Sequence, residues 1–132
     1  KIKKEGHSVG NHTYNHLNGF KTNKTGYLEN IQKAAKFIKS NLFRPPYGRL
    51  KPSQARSIIS KGYKIVMWDV LSADFDISVT PEKCLKNVLS KTSSGSIIVM
   101  HDSYKAKDKI FYALPKILSY FTEKGYVFKS ID

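Results

Sequence analysis

The chain has 132 residues, 40% of them hydrophobic and 25% charged, with 8 Gly and 5 Pro. That composition suits one soluble globular domain, excludes disorder, collagen and low complexity, and contains no apolar run near the ~20 residues of a membrane span. A net charge of +13 raises nucleic-acid binding, but the 23 basic residues are 20 Lys spread along the chain and only 3 Arg; base readout and phosphate forks favour Arg, so a solvated lysine surface or attraction to an anionic matrix is expected instead.

The elements alternate between short apolar runs and amphipathic stretches, as repeated β/α units do. Residues 1–5 read as a last helical turn closed by Gly6. A short strand is expected at 8–11. Thr25 is the expected cap of a helix through Ser40, with Leu28, Ile31, Ala34, Ala35 and Ile38 on one face. A strand at 41–44 runs into the rigid turn Pro45-Pro46-Tyr47-Gly48. Pro52 opens a helix ended by Gly62. Residues 63–68 read as a strand and 69–79 as a long loop. Thr80-Pro81-Glu82 starts a helix that buries Cys84, Leu85, Val88 and Leu89. Cys84 is the only cysteine, which excludes an internal disulfide and a Cys-rich zinc site. A buried strand is expected at 96–100, then a helix over about 109–124 kinked by Pro115, then a strand at 126–129. Buried strands alternating with helices predict a parallel sheet, whose functional residues gather at the strands' C-terminal ends. His12, Arg44, Asp69 and His101 all fall there.

Four groups carry possible chemistry. His12-Thr13-Tyr14-Asn15-His16 sets two imidazoles four residues apart, which on a helical turn would share a face. By spacing alone they read equally as two metal ligands or two surface histidines. Asn11 and Asn15 read as supporting donors or as loop residues, and Thr13 as a turn hydroxyl. In Arg44-Pro45-Pro46-Tyr47 the prolines present Arg44 and Tyr47 rigidly. That suits a guanidinium orienting a carboxylate and an N–H facing an oxyanion, or else a plain surface corner. Residues 69–76 carry Asp69, Asp74 and Asp76, either an acidic loop or a source of a carboxylate that tunes a histidine. The apolar run 97–100 ends in His101-Asp102, a position suited to a general acid.

In this order the motifs resemble those of the NodB-type polysaccharide deacetylases, carbohydrate esterase family 4. His12-Thr13-Tyr14-Asn15-His16 matches His-Ser/Thr-x-x-His, with residues 6–11 as its lead-in. Arg44 to Tyr47 matches Arg-Pro-Pro-Tyr, and Val99-Met100-His101 matches Leu-x-His with a conservative change. Two departures stand out. The pattern Asp-x-x-Asp-Trp falls on Leu71-Ser72-Ala73-Asp74-Phe75, so its first aspartate, expected to tune the acid histidine, is Leu71. Asp69, two residues earlier and on the same side of an extended chain, is expected to substitute. The opening Thr-Phe-Asp-Asp motif, with its catalytic base and third metal ligand, has no match, and no Asp-Asp pair occurs.

The resemblance implies an α/β fold: an incomplete, distorted (β/α) barrel with parallel strands, residues 1–132 forming one partial domain that begins after the missing motif. It implies a zinc- or other transition-metal-dependent hydrolase removing N-acetyl groups from an N-acetylglucosamine polymer of chitin or peptidoglycan type. His12 and His16 would bind the metal. His101, Arg44, Tyr47 and Asp69 would serve catalysis, and Pro46, Phe75 and Val99 would line the acetyl pocket. The expected partner is an acetylated polysaccharide or oligosaccharide, not nucleic acid, and the expected location is extracytoplasmic or in the cell envelope. By itself this stretch is expected to show little or no activity. The alternatives are O-deacetylation of a polymer such as acetylxylan, or a non-catalytic glycan-binding remnant.

Overall fold

A computed structural model describes residues 1–131. The chain divides into two compact units: Lys1–Met67, to which Ser130 and Ile131 also belong, and Trp68–Lys129.

In the first unit, Ile2–Glu5 form a 3-10 turn closed by Gly6 in the left-handed region at φ 83°, as expected of a glycine at that place. Helix α1 covers Lys24–Ala35. Its cap is Asn23 and not Thr25: the Asn23 side chain accepts from Gly26 N–H at 2.8 Å. The helix also stops five residues short of Ser40, because Phe37 and Ile38 N–H groups both close on the Ala34 carbonyl. Strand β1 (Leu42–Phe43) pairs in parallel with β2 (Lys64–Ile65), Phe43 opposite Ile65. The strand expected at 8–11 is reduced to one parallel bridge, Asn11 to Phe43. Helix α2 (Pro52–Ser60) connects β1 to β2 and ends at Lys61-Gly62. Tyr27, Ile31, Phe43 and Ile58 make the core, each contributing roughly 1.5–3 kcal/mol by burial.

Residues 18–22 are tied to α2 by a buried glutamine. Gln54 donates to the carbonyls of Gly19 (3.0 Å) and Thr22 (3.1 Å) and accepts from Lys51 N–H (2.9 Å). Gly19 is required by close approach: a Cβ there would lie 2.2 Å from the Arg49 carbonyl oxygen.

The second unit holds β3 (Val70–Leu71), α3 (Pro81–Leu89), β4 (Ile98–Val99) and α4 (Lys107–Glu123). β3 lies inside the expected loop and pairs in parallel with β4, Leu71 opposite Val99. Thr80 caps α3 as expected, its hydroxyl accepting from Lys83 N–H at 3.2 Å. Helix α4 continues past Pro115, which lies on its exposed side. The core is Val70, Cys84, Val88, Ala113, Ile117 and Phe121. No strand forms at 126–129; Tyr126 N–H instead closes on the Phe121 carbonyl at 2.9 Å, and its ring packs on the core. Among the described residues the fold is thus α/β with parallel strands in two two-stranded sheets and no closed barrel. No described helix is long and apolar enough to cross a membrane.

Candidate active site

The site residues fall into two groups, one in each unit. In the first unit, Asn11 N–H donates to the Leu42 carbonyl and the Asn11 carbonyl accepts from Arg44 N–H. His12 and Arg44 therefore follow neighbouring parallel strand ends. The ring of His12 meets the Arg44 carbonyl through Nδ1 at 2.6 Å. A carbonyl only accepts, so Nδ1 carries the proton and Nε2 the lone pair. Metal-ligating histidines are commonly oriented by such a bond.

His16 lies beside His12 with ring centroids 4.9 Å apart. Its other ring neighbour is Tyr47, at 4.7 Å. The expected helical turn is absent. Thr13 and His16 both take positive φ, 62° and 54°, a region that costs a non-glycine residue roughly 1–2 kcal/mol. Side chains hold this turn. Asn11 Oδ1 accepts from Thr13 N–H at 3.0 Å, and the Thr13 hydroxyl accepts from Leu17 N–H at 3.0 Å. Asn30 on α1 accepts from the N–H groups of Tyr14 (2.8 Å) and Asn15 (2.9 Å) and donates to the Asn15 side chain (2.8 Å). Sequence reasoning found Asn11 and Asn15 but missed Asn30, which has no motif around it.

Arg44 does not meet a carboxylate among the described residues of its unit. Its Nε and Nη2 donate to the Val66 and Met67 carbonyls at 3.2 Å each, anchoring the segment after β2. Partial burial lowers its pKa from the usual value. Tyr47 sits in the left-handed region at φ 58° with its ring exposed, while Pro46 is buried and offers a substrate little surface.

In the second unit, the carboxylate that meets His101 is Asp74. Its Oδ1 lies 2.7 Å from His101 Nδ1, and its Oδ2 accepts from His101 N–H. Asp74 is fully buried, whereas the His101 side chain is 43% exposed, so the imidazole is the member of the pair that a substrate can reach. The expectation for Asp69 is corrected: Asp69 Oδ2 accepts from Ile97 N–H at 2.8 Å and thereby fixes the entry to β4. The same-side argument fails because the chain bends at Asp69, before β3 begins at Val70, while Ala73, at φ 63°, turns the chain between Leu71 and Asp74. Phe75 stacks edge-on against His101 at 5.2 Å and is half exposed. Val99 is buried in β4 opposite Leu71, which leaves Phe75 as the accessible apolar residue of the expected pocket.

Two imidazoles, one already oriented through Nδ1, fit two positions of the three-ligand set that a catalytic zinc commonly takes. Among the described residues no cluster of three His, Cys, Asp or Glu completes that set.

The polysaccharide deacetylase profile matches residues 1–66. A peptidoglycan-N-acetylglucosamine deacetylase of Bacillus cereus is 29% identical over 137 aligned positions, covering 99% of this chain and 64% of that protein. The solved structure of the Bc1960 peptidoglycan N-acetylglucosamine deacetylase matches with a TM-score of 0.91 at 31% identity, over 98% of this chain and 64% of that one. A mutant of the CE4 family pseudoenzyme BA3943, described as having restored enzymatic activity, matches with a TM-score of 0.85 at 25% identity, over 98% of this chain and 48% of that one. The chain thus spans 64% or less of the length of these relatives. The profile match over half of its residues, together with the three matching motifs, shows that the chain belongs to the polysaccharide deacetylase family, carbohydrate esterase family 4.

Proposed function

We propose that the protein hydrolyses N-acetyl groups on an N-acetylglucosamine polymer of peptidoglycan or chitin type, and that it acts outside the cytoplasm, in or near the cell envelope. The observation that carries this reading is the Asp74–His101 pair: a buried carboxylate on Nδ1 of an accessible imidazole. With Nδ1 committed to Asp74, Nε2 is the nitrogen that exchanges a proton with substrate, and a departing sugar amine needs that proton.

His12 and His16 would hold zinc or another divalent transition metal, which when bound supplies Lewis-acid polarisation and an acidified water. The Tyr47 N–H is the candidate donor to the oxygen of the tetrahedral intermediate. Arg44 holds His12 through its carbonyl and the segment after β2 through its guanidinium, so its role here is positioning. Phe75 supplies an apolar surface for the acetyl methyl. No Asp-Asp pair occurs in these 132 residues, so the acceptor of the water proton is assigned to none of them.

A second reading is a glycan-binding module without turnover, which a natural full-length protein without an Asp-Asp pair would favour. Acetate release by the natural full-length protein from chitooligosaccharide, peptidoglycan and acetylxylan, with zinc supplied, decides between them. Release from the first two supports N-deacetylation, and release from acetylxylan alone moves the substrate to an O-acetylated polymer. Oligosaccharide binding without release supports the second reading.

A further inference from the structure

One buried charge is not used by the chemistry above. Lys109, in the first turn of α4, is 8% exposed. Lysine is almost never so buried unless its charge is met, and burying an ammonium costs several kcal/mol before any compensation. Its Nζ donates to the Asp74 carbonyl at 3.0 Å and to the Asp76 carbonyl. Its field also helps to lower the Asp76 pKa, after the two hydrogen bonds from Ser78. Packing of α4 alone would be served by an apolar side chain. The ammonium instead bridges α4 to residues 72–78.

That segment needs a tie. Ala73 takes φ 63°, which is unfavourable for a side chain that cannot bond its own backbone. The Asp74 N–H is held by the Ser72 hydroxyl at 3.3 Å, and the Ser72 carbonyl accepts from Asn87 on α3 at 3.1 Å. Lys109 supplies the bond to the Asp74 carbonyl. Asp74 in turn fixes both the ring and the N–H of His101.

We infer that Lys109 is a positioning residue for His101: its ammonium locks the Asp74 backbone, so that the Asp74 carboxylate holds the imidazole as the Nδ1–H tautomer. The consequence for rate rests on the deacetylase reading, whereas the tautomer lock does not.

The test is the long-range proton–nitrogen NMR spectrum of the His101 ring in the whole chain, for the native protein and for Lys109→Met, Lys109→Gln and Lys109→Arg. Methyl signals of Val88 and Ile117 report whether the core remains folded. The native ring is expected as a single Nδ1–H tautomer, Met and Gln as tautomer mixtures, and Arg as largely restored, since it can still donate to two carbonyls. If Met does not fold, Gln carries the comparison. Folded Met or Gln variants that keep the single tautomer overturn the inference. In the natural full-length protein, kcat for acetate release should fall about 10–100-fold in Lys109→Met with KM nearly unchanged. A native protein that releases no acetate, yet shows the lock and its loss in Met and Gln, contradicts the deacetylase reading and supports the positioning role.

Discussion

Asp74 holds His101 at two points, taking the ring Nδ1 with one carboxylate oxygen at 2.7 Å and the backbone N–H with the other. Both the tautomer and the position of the imidazole therefore depend on one buried side chain. Asp74→Asn keeps the shape but can present its amide N–H toward Nδ1. Its kcat/KM for acetate release should fall by about 10²–10⁴-fold. Asp69→Asn, which can still accept from Ile97 N–H, should stay within a few-fold of the native rate.

The His12–His16 turn depends on Asn30 as well as on the histidines. Loss of either imidazole should abolish measurable zinc or cobalt binding in titration calorimetry. Asn30→Ala removes the acceptor for two N–H groups beside His16, and metal affinity should fall about 10–100-fold, as when other outer partners of metal ligands are removed. Unchanged affinity would show that the turn holds itself.

Gly19 has no room for a side chain: the Arg49 carbonyl oxygen is 2.2 Å from where a Cβ would lie. Gly19→Ala should destabilise by about 1–3 kcal/mol, seen as a lower midpoint in urea. Gly6→Ala, with nothing within 4 Å but φ 83°, should cost about 1–2 kcal/mol through backbone strain alone.

Tyr27 is wholly buried, and its hydroxyl has no hydrogen-bond partner among the described residues. Burial raises its pKa from the ordinary 10.0 to about 12. The folded chain thus keeps a proton that the unfolded chain releases. The stability linked to that proton is fully present below pH 10.0 and is lost as pH rises through about 12. Tyr27→Phe should remove this alkaline dependence. It should also leave stability at pH 7 unchanged or raised by about 1–2 kcal/mol, because an unsatisfied polar atom is gone.

The acid side runs the other way. Hydrogen bonds from the Ser78 hydroxyl and N–H lower the Asp76 pKa below 3.8. Its contribution is present above that value and is lost as pH falls through the lower, folded pKa. Asp76→Asn should flatten the acid end of a stability-against-pH curve measured by denaturant midpoints.

The legible parts of the sequence were those where one residue's chemistry decides a local outcome. Pro52 and Thr80-Pro81 marked helix starts because Pro suits the first turn and Thr caps it. His12 and Arg44 were placed at strand ends by the apolar runs and motif around them. The less legible parts depend on backbone that leaves its regular period. A bend at Asp69 broke the alternation that pointed to it, and Ala73 at φ 63° turned the chain just before Asp74, which meets His101. Two left-handed residues, Thr13 and His16, joined the histidines where a helical turn was expected. Asn30 and Lys109 act from helices distant in sequence through side-chain hydrogen bonds, which leave no periodic signal. Tyr126 has strand-like neighbours, yet closing α4 satisfied its N–H first.

The most direct test is acetate release from an N-acetylglucosamine oligomer by the natural full-length protein, zinc supplied, comparing the native form with His101→Ala. The account predicts a fall in kcat of about 10²–10⁴-fold, with zinc and oligosaccharide affinity retained. Equal rates in the two proteins would contradict it.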